Sequence, residues 1–144
     1  MSEEDIYIEL FTSRIKVKPG EFIVLYGEKG VGKSTCINAI QRNYPDRSCL
    51  LVTSERTSER QNVAIVRAVA YPTNIYLFDE PTSFNTFREN RIELLYLIKK
   101  LHDQGNTIVM ATWDQGAIEM GTRVIELFEN KTFIDHGPGL FKLL

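Results

Sequence analysis

Apolar residues recur along this chain with two periods, and the places where the period changes divide it into elements. Ile6 to Leu10 alternates apolar and polar side chains as a half-exposed strand does, and Ile15 to Val17 reads as a second short strand before a Pro19-Gly20 turn. Phe22 to Tyr26 (FIVLY) is apolar throughout, which suits a strand buried on both faces of a parallel sheet. Further strands are expected at Cys49 to Thr53, Ile75 to Phe78 and Thr107 to Ala111. Between them the period lengthens. A helix is expected from Lys33 to about Arg42, and Ser58-Glu59-Arg60-Gln61 has the form of a capping box opening another to about Ala70, which Pro72 stops. Arg88 to His102 carries Ile92, Leu95, Ile98 and Leu101 at helical spacing, with Gly105 as its C-terminal stop. A short helix near Gln115 to Met120 precedes a strand at Val124 to Phe128, and Glu129-Asn130-Lys131 turns the chain back into Thr132 to Asp135. Strands alternating with helices predict an α/β fold, a mainly parallel sheet sandwiched by helices with a C-terminal β-hairpin.

The length, 144 residues, suits one hydrophobic core, so residues 1–144 are expected to form a single domain. A net charge of −2 leaves no electrostatic footprint for nucleic acid or an anionic membrane, and partners must be argued from motifs. The first residues, MSEEDIYIELF, are acidic where a signal peptide is basic, and no apolar run approaches a membrane span; a cytoplasmic location is expected. Cys36 and Cys49 lack metal-ligand spacing and read as small buried side chains. His102 and His136 are isolated in sequence and read as surface or capping residues.

Gly27-Glu28-Lys29-Gly30-Val31-Gly32-Lys33-Ser34 matches the P-loop pattern, with an apolar strand before it and a helix after it. Phosphates need many donors close together. Glycines let backbone N–H groups turn inward, the helix N-terminus adds its dipole, Lys33 reaches the terminal phosphates and the Ser34 hydroxyl ligates Mg²⁺. The nucleotide-binding set is therefore Gly27, Glu28, Lys29, Gly30, Val31, Gly32, Lys33, Ser34 and Thr35. The second motif is Ile75 to Glu80, IYLFDE. A hydrophobic strand lying next to the P-loop strand would deliver Asp79 beside the magnesium. Glu80, one residue on, would be the catalytic group that holds or deprotonates the water attacking the γ-phosphate.

The stretch RQNVAIVRAVAYPTNIYLFDEPTS resembles the ATP-binding cassette (ABC) ATPases from their signature helix through the second acidic motif. IKVKPGEFIVLYGEKGVGKST is similar to the family's approach to the P-loop, and TIVMATWDQGAIEMGTRVIELFENKTFIDHG to its switch strand and terminal hairpin. The resemblance implies ATP and Mg as ligands, a homodimer, a membrane permease as partner, and a switch residue at Trp113. Several family features differ here. The signature falls on Glu55 to Glu59 without its serine or glycines, and Trp113 replaces a histidine with an indole that cannot accept a proton. Ser83-Phe84-Asn85-Thr86 lacks the aspartate of the intersubunit loop, and Thr53 or Ser54 stands where the family has a glutamine. About two dozen residues separate Lys33, at the start of the P-loop helix, from Ser58, where the family places the helical subdomain that docks a permease. Tyr7 and Phe11 are candidates for an adenine contact but read better as core. The expected function is Mg-dependent ATP binding with slow hydrolysis. A catalytically impaired nucleotide-binding module, or a shortened or designed ABC-like domain without a transport task, fits the same residues.

Overall fold

The computed structural model describes residues 5–51, 74–81 and 88–137. Its strands are β1 (Ile6–Leu10), β2 (Ser13–Val17), β3 (Phe22–Tyr26), β4 (Ser48–Leu51), β5 (Ile75–Asp79), β6 (Thr107–Thr112), β7 (Arg123–Leu127) and β8 (Phe133–Gly137). The helices are α1 (Lys33–Asn43), α2 (Arg88–Asp103) and α3 (Gln115–Ile118). The helix expected from Ser58 to Ala70 lies outside the described residues, as do Cys49 to Leu51 beyond their backbone.

Six strands form one sheet in the order β4-β5-β6-β3-β7-β8, parallel except for the terminal β7–β8 hairpin. The apolar runs are buried on both faces because alternate side chains enter two separate cores. Ile23, Leu25, Ile75, Leu77 and Val109 point to one side, where Ile37 and Ile40 of α1 and Ile6, Ile8 and Leu10 of β1 cover them. Phe22, Val24, Tyr76, Phe78, Ile108 and Met110 point to the other, under Leu94, Ile98 and Leu101 of α2 and Ala117 and Ile118 of α3. The α/β sandwich expected from the sequence is thus present, and the first face is shared between a helix and the separate antiparallel pair β1–β2. The Tyr7 N–H donates to the Tyr44 hydroxyl just past α1, at 3.0 Å, tying the pair to the helix.

Two local expectations are corrected. Ile92 was expected on the inner face of α2 with Leu95, Ile98 and Leu101, yet it is 55% exposed, and Tyr96, one turn on, is 60% exposed. The buried stripe runs instead through Leu94, Ile98 and Leu101. Ile92 precedes Leu94 by two positions, about 200° around the helix, and so faces away. The strand order is the second correction: β5 does not lie next to the P-loop strand β3, because β6 stands between them. Pairing between strands distant in sequence is set by packing, and both β5 and β6 have the doubly buried pattern that suits a central position.

Arg123 links four segments. Its guanidinium donates to Asp135 of β8 at 3.1 Å and to the Lys16 carbonyl of β2 at 2.9 Å, and it lies 3.7 Å from Glu21. Hydrogen bonding from Arg123 holds the Asp135 carboxyl below its ordinary value. This contribution to stability is complete above the unfolded aspartate pKa and lost as pH falls through the lower, folded one. Arg123→Ala is expected to cost about 1–2 kcal/mol at neutral pH by urea denaturation. The difference from the parent should shrink as the pH falls below the ordinary aspartate value of 3.8; a difference unchanged between pH 7 and 2.5 would count against the pairing.

Candidate functional site

The P-loop leaves β3 at Gly27 and enters α1 at Lys33. Gly32 caps the helix with φ 109, a left-handed conformation that a side chain resists, so the first turn of α1 presents its N–H groups without a capping side chain. Gly27 is constrained differently. A Cβ there would lie 2.8 Å from the Leu127 carbonyl oxygen and 2.9 Å from a Val31 methyl, so only glycine lets β3 turn this close to β7. The Val31 side chain is buried in the core under α1, whereas Glu28, Lys29, Gly30, Ser34 and Thr35 are exposed.

β6 holds the two motifs in register. The Thr112 carbonyl accepts from the Gly27 N–H at 3.3 Å, and the Ala111 carbonyl accepts from the Glu80 N–H at 2.7 Å. One strand end therefore anchors the start of the P-loop on one side and the end of β5 on the other. The intervening strand is what brings Glu80 within reach of Lys33. Nothing in the local sequence of β6 marked Ala111 or Thr112 for this role, because they act through backbone carbonyls. The Thr112 hydroxyl, fully buried, accepts from the Asp114 N–H at 2.9 Å and fixes the turn that follows.

Lys33 is only 4% exposed, and its ammonium donates to the carbonyls of Gly27 and Glu28 (3.1 Å for Glu28) and pairs with Glu80 Oε1 at 2.9 Å. The other oxygen of Glu80, Oε2, accepts from the backbone N–H of Trp113 at 3.3 Å. Glu80 itself has φ 52, a left-handed conformation uncommon outside glycine and enriched at functional sites. Burial pushes the Glu80 carboxyl above its ordinary value; the hydrogen bond and charge of Lys33 and the Trp113 N–H oppose this, and the neighbouring Asp79 charge adds to it. Asp79 ends β5 with Oδ1 buried and without a hydrogen-bond partner among the described residues. A buried carboxylate oxygen left without a donor suits a cation. Among the described residues no three His, Cys, Asp or Glu side chains cluster to hold a metal alone. Asp79 and the Ser34 hydroxyl fit Mg²⁺ only as a partial ligand set completed by phosphate and water.

Trp113 takes part through its backbone. Its indole is 59% exposed and belongs to neither core. Phe11 is not core either: it is 39% exposed with φ 53, at the first position of the two-residue β1–β2 turn, where a positive φ carries the side chain outward. It lies beside the P-loop, with a ring carbon 3.7 Å from where a Cβ on Gly32 would sit. Tyr7 is half-buried under the Arg14 guanidinium. An open groove of about 910 Å³ borders Gly27 and Trp113, but its lining includes Glu28, Asp114, Glu126 and Glu129 and no lysine or arginine among the described residues, which makes it a poor place for phosphate.

His102 bonds the Gly20 carbonyl at 2.9 Å at the opposite end of β3, and His136 pairs with Glu126 at 3.0 Å; neither reaches Lys33 or Glu80. Cys36 is buried in α1, and burial pushes its thiol up to about 11. Glu55 to Glu59, Arg56, Arg60 and Ser83 to Thr86 lie outside the described residues.

A parallel sheet with the P-loop strand and the acidic strand separated by one strand has the arrangement of the P-loop NTPase fold. In aligned sequence and in fold the chain is similar to the ATP-binding parts of ABC transporters. It is 40% identical over 78 residues to the macrolide export ATP-binding/permease protein MacB of Pectobacterium atrosepticum, covering 54% of this chain and 12% of that protein. The MacB of Hyphomonas neptunium is 36% identical over 80 residues, covering 55% and 12%. The chain thus spans only about an eighth of the length of these curated relatives. Among solved structures it superposes on an inward-facing ABC transporter described as of metal-chelate type, with a TM-score of 0.75 and 15% identity over 91% of this chain and 82% of that one. It also superposes on a dimeric ATP-binding cassette in a post-hydrolysis state, bound to ADP and Pi, with a TM-score of 0.67 and 18% identity over 91% and 95%. No protein-family model matches. No described helix is long and apolar enough to cross a membrane.

Proposed function

We propose that this chain binds Mg-ATP at the P-loop and hydrolyses it slowly, as an ABC-type ATPase core. The observation that carries the proposal is the 2.9 Å approach of Lys33 to Glu80, which sets the phosphate-binding helix end against the acid that would serve the attacking water. The backbone from Gly27 to Thr35 would cradle the phosphates, and Lys33 would turn its ammonium to the β and γ oxygens. Ser34 and Asp79 would hold magnesium, which when bound offsets charge on the phosphoryl group. Glu80, freed from Lys33, would hold or deprotonate the water. Phe11, at the hairpin tip beside Gly32, is placed to contact the base. The relatives' names, ATP-binding/permease proteins, and the dimeric ADP-bound neighbour support nucleotide as ligand and, as further proposals, pairing with a second copy and with a permease.

Slow turnover follows from the groups that stand in the catalytic positions. Trp113 at the switch position cannot accept or relay a proton through its indole, and Glu55 to Glu59 put carboxylates where a neighbour's phosphate would be met. These residues also favour a second reading, a nucleotide-binding module without turnover. The test is titration of ATP followed by phosphate release over a wide range of protein concentration. Saturable binding with release below about one per second is expected. Saturation without release selects the module, and absence of binding rejects both readings. Trp113→His should leave the rate nearly unchanged, since one imidazole does not restore contacts across a dimer; a large gain would show that Trp113 alone limits turnover.

A further inference from the structure

We infer that Glu80 occupies the phosphate-binding charge of Lys33 and thereby lowers the affinity of every ligand whose phosphates extend far enough to take it. The inference rests on the nucleotide-binding reading above and concerns the same site.

An ammonium has three donors, and among the described residues Lys33 has three acceptors: the Gly27 and Glu28 carbonyls and Glu80 Oε1. With the side chain 4% exposed, no donor is left for a phosphate oxygen unless one of these partners is released. The carbonyls belong to the loop whose shape Gly27 fixes against β7 and β6, so they do not move without dismantling the cradle. Glu80 is the partner that can leave. Its backbone stays fixed to Ala111 by the 2.7 Å hydrogen bond, and its side chain is half-buried rather than enclosed, with the 3.3 Å contact to the Trp113 N–H as its one other hold among the described residues. Its carboxylate therefore stands in the place of a phosphate, and any ligand that engages Lys33 must displace it.

The energetic consequence is a constant subtracted from the affinity of every ligand that reaches Lys33. A nucleoside monophosphate that binds the cradle without reaching Lys33 does not displace Glu80 and is not affected. Glu80 thus depresses affinity for di- and triphosphates while leaving monophosphate affinity alone, so the side chain assigned to the water also sets the threshold for entry.

Removing a negative charge beside a phosphate strengthens binding even without any pairing, so the experiment must separate the two effects. Affinities for ATP, ADP and AMP are measured with EDTA present, which keeps magnesium and Asp79 out of the comparison. The variants are the parent, Glu80→Gln, Glu80→Asp, Lys33→Met and the double variant Lys33→Met/Glu80→Gln. Glu80→Asp keeps the charge but shortens the reach, and aspartate tolerates the left-handed backbone at this position. Expected are a gain of about tenfold for ATP and ADP in Glu80→Gln, a gain of several-fold in Glu80→Asp, no gain for AMP, and loss of most of the Glu80→Gln gain in the Lys33→Met background. An equal gain in both lysine and methionine backgrounds would reduce the effect to simple repulsion and overturn the inference. So would unchanged affinity for ATP in both Glu80 variants while the parent binds ATP. If no variant binds any nucleotide, the nucleotide-binding reading fails and the inference falls with it.

Discussion

Lys33→Met should weaken ATP binding by more than tenfold, at least about 1.4 kcal/mol, in a protein that still folds. On the proposed reading Lys33 supplies the side-chain charge for the β and γ phosphates, and a methionine keeps its length and apolar stem while removing all three donors. The structure adds a second penalty. Without the ammonium, the Glu80 carboxylate beside the P-loop has lost the partner that offsets its burial, and any part of it that remains charged repels phosphate. Methionine is the better test than alanine because Lys33 is buried at the start of α1, and a smaller side chain would add a cavity to the lost charge. Isothermal titration with ATP, alongside a urea unfolding curve for each protein, separates affinity from stability. Unchanged affinity in a folded Lys33→Met variant would remove the P-loop reading altogether.

Gly27→Ala should be the more damaging of two conservative glycine substitutions, destabilising the fold by about 2–3 kcal/mol and impairing nucleotide binding along with it. The added methyl would lie 2.8 Å from the backbone oxygen of Leu127, and backbone in a central strand cannot swing aside as a side-chain tip can. Relief requires Gly27 to move away from β7, which strains its 3.3 Å hydrogen bond to the Thr112 carbonyl and the position of the carbonyl that accepts from Lys33. Gly30→Ala is the control. Nothing lies within 4 Å of a Cβ at Gly30, and its φ of 90 leaves only backbone strain, about 1 kcal/mol. Urea midpoints and ATP affinities for the two variants give the comparison. A Gly30→Ala variant harmed as much as Gly27→Ala would mean that conformational freedom, and not the close approach to β7, is what the loop requires.

The predicted and observed elements agree where the information is local. FIVLY at residues 22–26 and IYLFD at 75–79 read as doubly buried strands because every side chain is apolar up to the strand's end, and the structure sends alternate residues into two cores. Gly27, Gly32 and Lys33 stood out because the P-loop pattern fixes residue types at short spacings around a strand-to-helix turn, and Asp79 and Glu80 stood out as the acids that end an apolar strand.

The sequence left undecided whatever depends on which distant segments meet. Periodicity says that a strand is buried, not which strand lies beside it, so the insertion of β6 between β3 and β5 was invisible, and with it the carbonyls of Ala111 and Thr112 that hold both motifs. The helical spacing of Ile92, Leu95, Ile98 and Leu101 is satisfied by more than one face of α2, and the sheet's outline selected the one centred on Leu94, Ile98 and Leu101. Phe11 is apolar and adjoins a strand, yet a two-residue turn with positive φ turns it outward beside the P-loop. The Lys33–Glu80 pair spans 47 positions of sequence and exists because the end of a helix and the end of a strand are fixed to a third element. The sequence by itself singled out the groups proposed to bind phosphate and metal; only the tertiary structure decided that two of them pair with each other, because an electrostatic contact depends on distance in space and the order of strands sets that distance.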